Sequence, residues 1–226
     1  MTLKGIRPVR KPSFMGDVVY ESLKEAIVNG DISPGQRLIE NQLSMQMDVS
    51  RIPIREAIKK LEKDGLVEKA DKRGFIVKHI SKGDVEETLG IRAQLESYAA
   101  YLATERMTDD IFQILQDNIK AYRQALESGD VEKLMEHNTQ FHEVIYKAAR
   151  SEKLYSLINN FRDLIFRYRK PLLNNPEYAR VSLNDHEEML SAMREKDKDR
   201  VETLVKKHIM RGKDIIMNEL ESGRLI

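Results

Sequence analysis

Four residues in the second half of the chain have types and spacing that suit metal chemistry: Asn138, His142, His186 and His208. Asn138 and His142 stand four apart, so on a helix their side chains share one face. His186 and His208 fall in two other stretches of helical periodicity. Three imidazoles from three helices can converge inside a bundle, which is how bundles build metal sites. Imidazole suits zinc, nickel, copper or iron, and an added oxygen ligand also admits manganese. Such a set leaves positions for water or a carboxylate. Each histidine alone is weak ground, because a lone helical histidine is more often a core or surface residue. The same cluster could serve a metal-dependent hydrolase, with Glu143 or Glu187 as its general base. His137 and His79 lack this context and read as structural or exposed.

A second group lies near the front. Arg51, Arg55 and Lys59 repeat every four residues, while Ile54, Ala57, Ile58 and Leu61 mark a different, apolar face of the same segment. Arginine on an early turn of such a helix can donate from its planar fork to both O6 and N7 of guanine. A basic repeat alone is equally a solvated face. What favours nucleic acid is the context, a short turn before the helix and a hairpin tip at Arg73-Gly74 after it. Glycine there lets the backbone approach a groove, and arginine suits a narrow minor groove or a phosphate. A third candidate is Arg92, which interrupts the apolar series Leu89, Ile91, Leu95 and Ala99 with Glu96 one turn on. It reads either as a surface ion pair or as a cation turned inward.

The elements that must hold these residues follow from periodicity. Residues 1–13, with Pro8, Pro12 and Gly5, read as a flexible arm. Residues 14–80 give a helix from Phe14 to Asn29-Gly30, a turn, a short helix at Glu40–Met47, the break Asp48-Val49-Ser50, and a helix at Arg51–Asp64. Two strand-like runs, 66–70 and 75–80, then flank a turn. This is the order of a winged helix-turn-helix with a two-stranded wing, and Arg37 falls in the turn before the short helix. Residues 84–222 carry only helical patterns, at 84–106, 108–127, 131–149, 152–169, 182–196 and 198–220. Thr108, Asp130 and Ser151 are suited to N-caps, Gly129 to a stop, and Asn174-Asn175-Pro176 to a loop. The expectation is a mainly α protein whose second part is a six-helix antiparallel bundle.

Composition agrees. The 226 residues are 41% hydrophobic and 33% charged, as in a soluble, helix-rich protein. The absence of cysteine excludes disulfides and thiolate ligands and fits a cytoplasmic protein. No run of 18 apolar residues suggests a membrane span, and the first residues lack the apolar core of a secretory signal. Residues 1–80 hold 15 basic against 11 acidic side chains, the remainder 23 against 26, so a net charge of +1 hides a basic front on an acidic body.

The segments Pro34-Gly35-Gln36-Arg37-Leu38, Leu43-Ser44, Val49-Ser50-Arg51-Ile52-Pro53-Ile54-Arg55-Glu56-Ala57, Asp64-Gly65-Leu66-Val67 and Arg73-Gly74-Phe75 resemble the GntR family of transcription regulators. That resemblance implies base reading by Arg51 and Arg55, a minor-groove wing at Arg73 and Gly74, and a phosphate contact for Arg37. Several members carry arginine where Asn41 stands, so the operator contact at Asn41 departs from its relatives. The helical half is similar to the FCD type of effector domain found in the FadR branch, and its helix count to the VanR-like subgroup. Many FCD domains hold a metal through an aspartate, a histidine four residues later and two downstream histidines. His142, His186 and His208 match, with Asn138 at the aspartate position. The run Ile91-Arg92-Ala93-Gln94-Leu95-Glu96 is similar to the first FCD helix, where the arginine often faces an effector cavity. The resemblance therefore implies a homodimer on a palindromic DNA operator. Its affinity would be set by a small organic acid gripped by Arg92, beside a divalent metal (zinc, nickel or manganese). A regulator that senses the metal itself is the alternative.

Overall fold

Val19, Leu23 and Ile27 recur one turn apart and are buried along one side of α1 (Phe14–Asn29), while Val18 is turned out to solvent. In the computed structural model, described for residues 14–71, 74–161 and 172–223, this helix belongs to the first of two units, residues 1–79 and 80–226. It packs on α3 (Arg51–Lys63), whose buried face is Pro53, Ile54, Ala57, Ile58 and Leu61. Burying each of the larger of these side chains stabilises the unit by about 1.5–3 kcal/mol. Pro53 is the third residue of α3, where its missing N–H costs no intrahelical bond. Ser50 has the extended backbone of an N-cap, but its side chain makes no cap bond. Between α2 (Glu40–Gln46) and α3, Asp48 takes φ +52°, a left-handed conformation that aspartate tolerates better than most residues.

The wing differs from expectation. Arg37 and Leu38 form a strand, β1, that pairs with β3 (Phe75–Val77), which in turn pairs with β2 (Val67–Lys69). The sheet is antiparallel in the order β1-β3-β2, with Arg37 opposite Ile76 and Leu38 opposite Phe75. Arg37 is therefore an exposed strand residue and not a turn residue. Two residues are too short a run to show a strand's alternation, and the pairing partner lies almost forty positions away. Gly74 has φ +87°, and a Cβ there would lie 3.5 Å from the Leu38 carbonyl oxygen, so the hairpin passes close beside β1. The arm at 1–13 and Arg73 lie outside the described residues.

The second unit contains six helices among the described residues: α4 (Lys82–Glu105), α5 (Asp109–Ser128), α6 (Val131–Ala148), α7 (Glu152–Asn159), α8 (Pro176–Arg194) and α9 (Lys198–Glu221). Each begins at a polar cap. Ser81, Thr108, Asp130, Ser151, Asn175 and Asp197 all accept from backbone N–H groups of the first turn. Gly129, at φ +69°, closes α5 in the left-handed conformation. Two boundaries are corrected. The helix expected from 182 starts at Pro176, because Asn175 caps it and proline at the first position is preorganised for a helix. The helix expected over 152–169 stops at Asn159, and residues 162–171 lie outside the described set. The core pairs α4 along α9, α5 with α6 and α8, and α8 with α9. No helix of the described residues is long and apolar enough to cross a membrane.

Candidate functional site

On the first unit, α3 sends one face inward and leaves Arg51, Ile52, Arg55, Glu56 and Lys59 exposed. The first residues of α2 lie against that outer face. The Arg51 Nη1 donates to the Asn41 Oδ1 at 3.1 Å. Arg55 donates twice to Glu40, from Nε at 3.0 Å and from Nη2 at 2.7 Å. The hydrogen bond from Arg55 is the main reason that the Glu40 carboxyl sits below its ordinary pKa, and Arg51 and Lys59 add to it by charge. Arg51, Arg55, Lys59 and Asn41 thus share one polar surface. Glu40 had no signal in the sequence, since its partner is fifteen residues away on another helix.

The second unit brings together the residues singled out for metal chemistry. His142 on α6, His186 on α8 and His208 on α9 are all buried, and one nitrogen from each lies within 4.8 Å of the others. Their ring centroids form a near-equilateral triangle of 5.3, 5.3 and 5.2 Å. His186 is stacked on Phe141, centroids 4.0 Å apart, with the edge of Tyr122 at 5.8 Å. The Asn138 amide donates from Nδ2 to Ser182 on α8 at 3.4 Å. Asn138, His142, His208 and Arg92 line one small cavity of about 40 Å³, partly open to solvent, with apolar walls that include Leu89, Leu173 and Ile209. That is room for an ion or a few water molecules beside the polar side chains.

Two arginine–carboxylate pairs flank the histidines. Asp185 meets the His208 Nδ1 at 3.0 Å and is also held by Arg211. Burial opposes ionisation of Asp185, but the bonds from His208 and Arg211 outweigh it and keep its pKa below the ordinary value. A carboxylate on one ring nitrogen orients the imidazole and leaves the other nitrogen for a ligand. On the opposite side, the Arg92 Nε donates to Glu96 at 2.6 Å, and the other Glu96 oxygen is 3.8 Å from the His142 Nδ1. The surface-pair reading of Arg92 and Glu96 is thereby corrected: their side chains are 8% and 0% exposed. Burial disfavours the Arg92 charge, and Glu96 and Tyr146 more than offset that, so its pKa is raised. Position 96 looked like a surface partner because i, i+4 charge pairs usually are, and α4 is covered on that side by helices distant in sequence. Asp185 stood beside His186 in the chain, but only the antiparallel packing of α8 on α9 sets it against His208.

The general-base candidates for an enzyme do not join this cluster. Glu143 is engaged by Tyr155 and Lys147, and Glu187 by Arg123, and neither lines the cavity. His79 is exposed, and His137 is half-buried beside Gln140.

Comparison with known families decides the class. Residues 16–77 match the model described as bacterial regulatory proteins, gntR family, and residues 87–211 match the FCD domain. This chain belongs to the GntR family of regulators and carries an FCD domain. It is 30% identical over 206 residues to the uncharacterized HTH-type transcriptional regulator YdhC of Bacillus subtilis, covering 91% of this chain and 92% of that protein. It is 29% identical to the HTH-type transcriptional repressor RspR of Escherichia coli, over 84% of each chain. Among solved structures, E. coli McbR/YncC superposes with a TM-score of 0.72 at 26% identity, covering 92% of this chain and 99% of that one. These domains and relatives make the GntR–FCD chain a DNA-binding transcription regulator and not an enzyme.

Proposed function

We propose that this regulator is a homodimer reading a palindromic operator, with its affinity for DNA set by a small organic acid held in the helical unit. Arg51 and Arg55 would read base edges. The wing at Arg73 and Gly74 would enter the minor groove. Arg37 and Lys59 would neutralise phosphates, and Asn41 would stand beside Arg51 where relatives place a cation. A dimer suits a palindrome because each half-site repeats the same contacts. Self-association is supported by an apolar strip on the outer side of α4, where Ile91 and Tyr98 are exposed and Leu95 is half-buried between them.

The observation that carries the effector reading is the lining of the cavity, where a buried arginine and two of the clustered histidines, His142 and His208, meet apolar walls. An acid entering it would meet the Arg92 guanidinium, whose charge is otherwise balanced by Glu96. The donor set fits a divalent metal such as zinc, nickel or manganese. His142, His186 and His208 would supply three nitrogens, and Asn138, which lines the same cavity one turn before His142, would add a neutral oxygen donor. Such an ion would supply a positive centre for the carboxylate of the acid. The acid shifts DNA affinity only to the extent that it prefers one arrangement of the protein over another.

Elemental analysis and native mass spectrometry of the purified protein, followed by operator titration with and without added acid, test this directly. A monomer, or operator affinity indifferent to every carboxylic acid tried, would remove the reading. The buried histidine triangle also favours a second one, in which the metal is itself the signal. That version wins if adding and removing metal moves operator affinity as strongly as any acid does.

A further inference from the structure

Glu40 places a carboxylate in the middle of the surface assigned to DNA, where it ought to hinder binding to phosphates. It is 29% exposed in its side chain and sits among Arg51, Arg55 and Lys59. An anion there cancels part of the charge that drives sequence-independent binding. Its geometry indicates what it does in return. A guanidinium has two edges that can form paired hydrogen bonds, one with Nε and one Nη, the other with both Nη groups. Glu40 takes the first edge of Arg55, through Nε at 3.0 Å and Nη2 at 2.7 Å. The second edge belongs to a side chain that is 57% exposed, and Glu40 does not occupy it.

We propose that Glu40 is a positioning residue that sets Arg55 for guanine, exchanging general DNA affinity for base discrimination. The inference rests on Arg55 as a base contact and goes beyond it, since Glu40 itself needs to touch no base. An exposed arginine on a helix samples many rotamers, and holding it in one costs entropy. Docking it against a carboxylate before DNA arrives removes part of that cost from the binding step and limits the orientations in which its donors can meet a phosphate instead. Glu40 is in turn fixed by the backbone. It opens α2 two residues after Leu38, and β1 is held to the wing by its pairing with β3. The carboxylate is therefore positioned by α2 and the strand before it, not by the helix that carries Arg55.

The test uses the full chain and duplexes selected from a randomised library, which first define the wild-type half-site. Base preference is then measured position by position for wild type, Arg55→Ala, Glu40→Ala, Glu40→Gln and the Arg55→Ala/Glu40→Ala double variant. Arg55→Ala should erase preference for one guanine. Glu40→Ala should weaken discrimination at that same position by about tenfold, within the range a bidentate arginine–guanine contact commands. It should leave the other positions alone and tighten binding to random duplex. Glu40→Gln, which keeps one acceptor oxygen, should fall between, and in the Arg55→Ala background Glu40→Ala should cost no further discrimination. If Glu40→Ala keeps full preference for the guanine, or weakens every position alike, the proposal is overturned while Arg55 keeps its role. If Arg55→Ala itself leaves the profile unchanged, the base contact fails, and the positioning role falls with it.

Discussion

Replacing Glu96 by leucine should destabilise the helical unit far more than any surface ion pair could. Arg92 and Glu96 lie one turn apart on α4, joined at 2.6 Å, with side-chain exposures of 8% and 0%. Removing one partner of a buried pair strands the other charge, which costs about 3–5 kcal/mol. Arg92 retains the Tyr146 hydroxyl nearby, so the lower half of that range applies. For a domain of about 150 residues or more, each kcal/mol moves the midpoint by about 2–4 °C, so Glu96→Leu should lower Tm by about 6–16 °C. The double variant Arg92→Met/Glu96→Leu removes both charges and should recover most of the loss, since apolar replacement of a buried pair is often neutral or stabilising. Urea and thermal unfolding followed by circular dichroism, in chelator to suppress metal linkage, provide the measurement. A loss below about 1 kcal/mol for Glu96→Leu would refute the argument, because it would mean the pair is solvated like an ordinary surface bridge. The same variants separate structure from function. The double variant should fold and bind operator yet ignore the acid; a retained response would remove Arg92 from the effector site.

His186→Ala should abolish stoichiometric metal binding as read by elemental analysis, and full retention would dissolve the histidine cluster as a ligand set. Asn138→Asp should tighten metal binding by one to two orders of magnitude at constant fold, roughly the scale seen when ligand surroundings change; unchanged affinity would exclude position 138 from the site. Gly212 lines the cavity, and a Cβ there would stand 3.1 Å from the Tyr178 Oη. Gly212→Leu should therefore blunt the acid response in operator titrations more than it lowers stability, and an intact response would mean the acid binds elsewhere. Asp130 caps α6, and the backbone bond from Lys133 lowers its pKa in the folded state. Its stabilisation is complete above the unfolded value of about 3.9 and is lost as pH falls through the lower folded value. The stability of wild type should accordingly decline relative to Asp130→Asn as pH falls below about 4, and parallel curves would count against the cap.

Much of the fold was legible because local rules decide it. The apolar stripe of α3, the caps at Thr108, Asp130 and Ser151 and the left-handed stop at Gly129 each need only a few neighbouring residues, and all appear where periodicity and cap chemistry put them. The misplaced features share a physical cause. β1 is too short to carry a pattern and exists because β3 supplies its hydrogen bonds. The start of α8 resembles a loop in sequence because asparagine and proline serve equally as turn residues and as an N-cap followed by a first helical position.

For function, the chain by itself determined which side chains are available. Arg51 and Arg55 repeat on one helical face, and three histidines fall on three helices, because four-residue spacing is a property of the helix alone. The tertiary structure alone decided what those side chains meet. Glu40 reaches Arg55 only because α2 is held against α3. Arg92 and Glu96 are buried only because helices remote in sequence close over α4. Asp185 faces His208 only because α8 and α9 run side by side. Charge partners across helices are set by packing, which acts between residues far apart in sequence, and no local pattern encodes them.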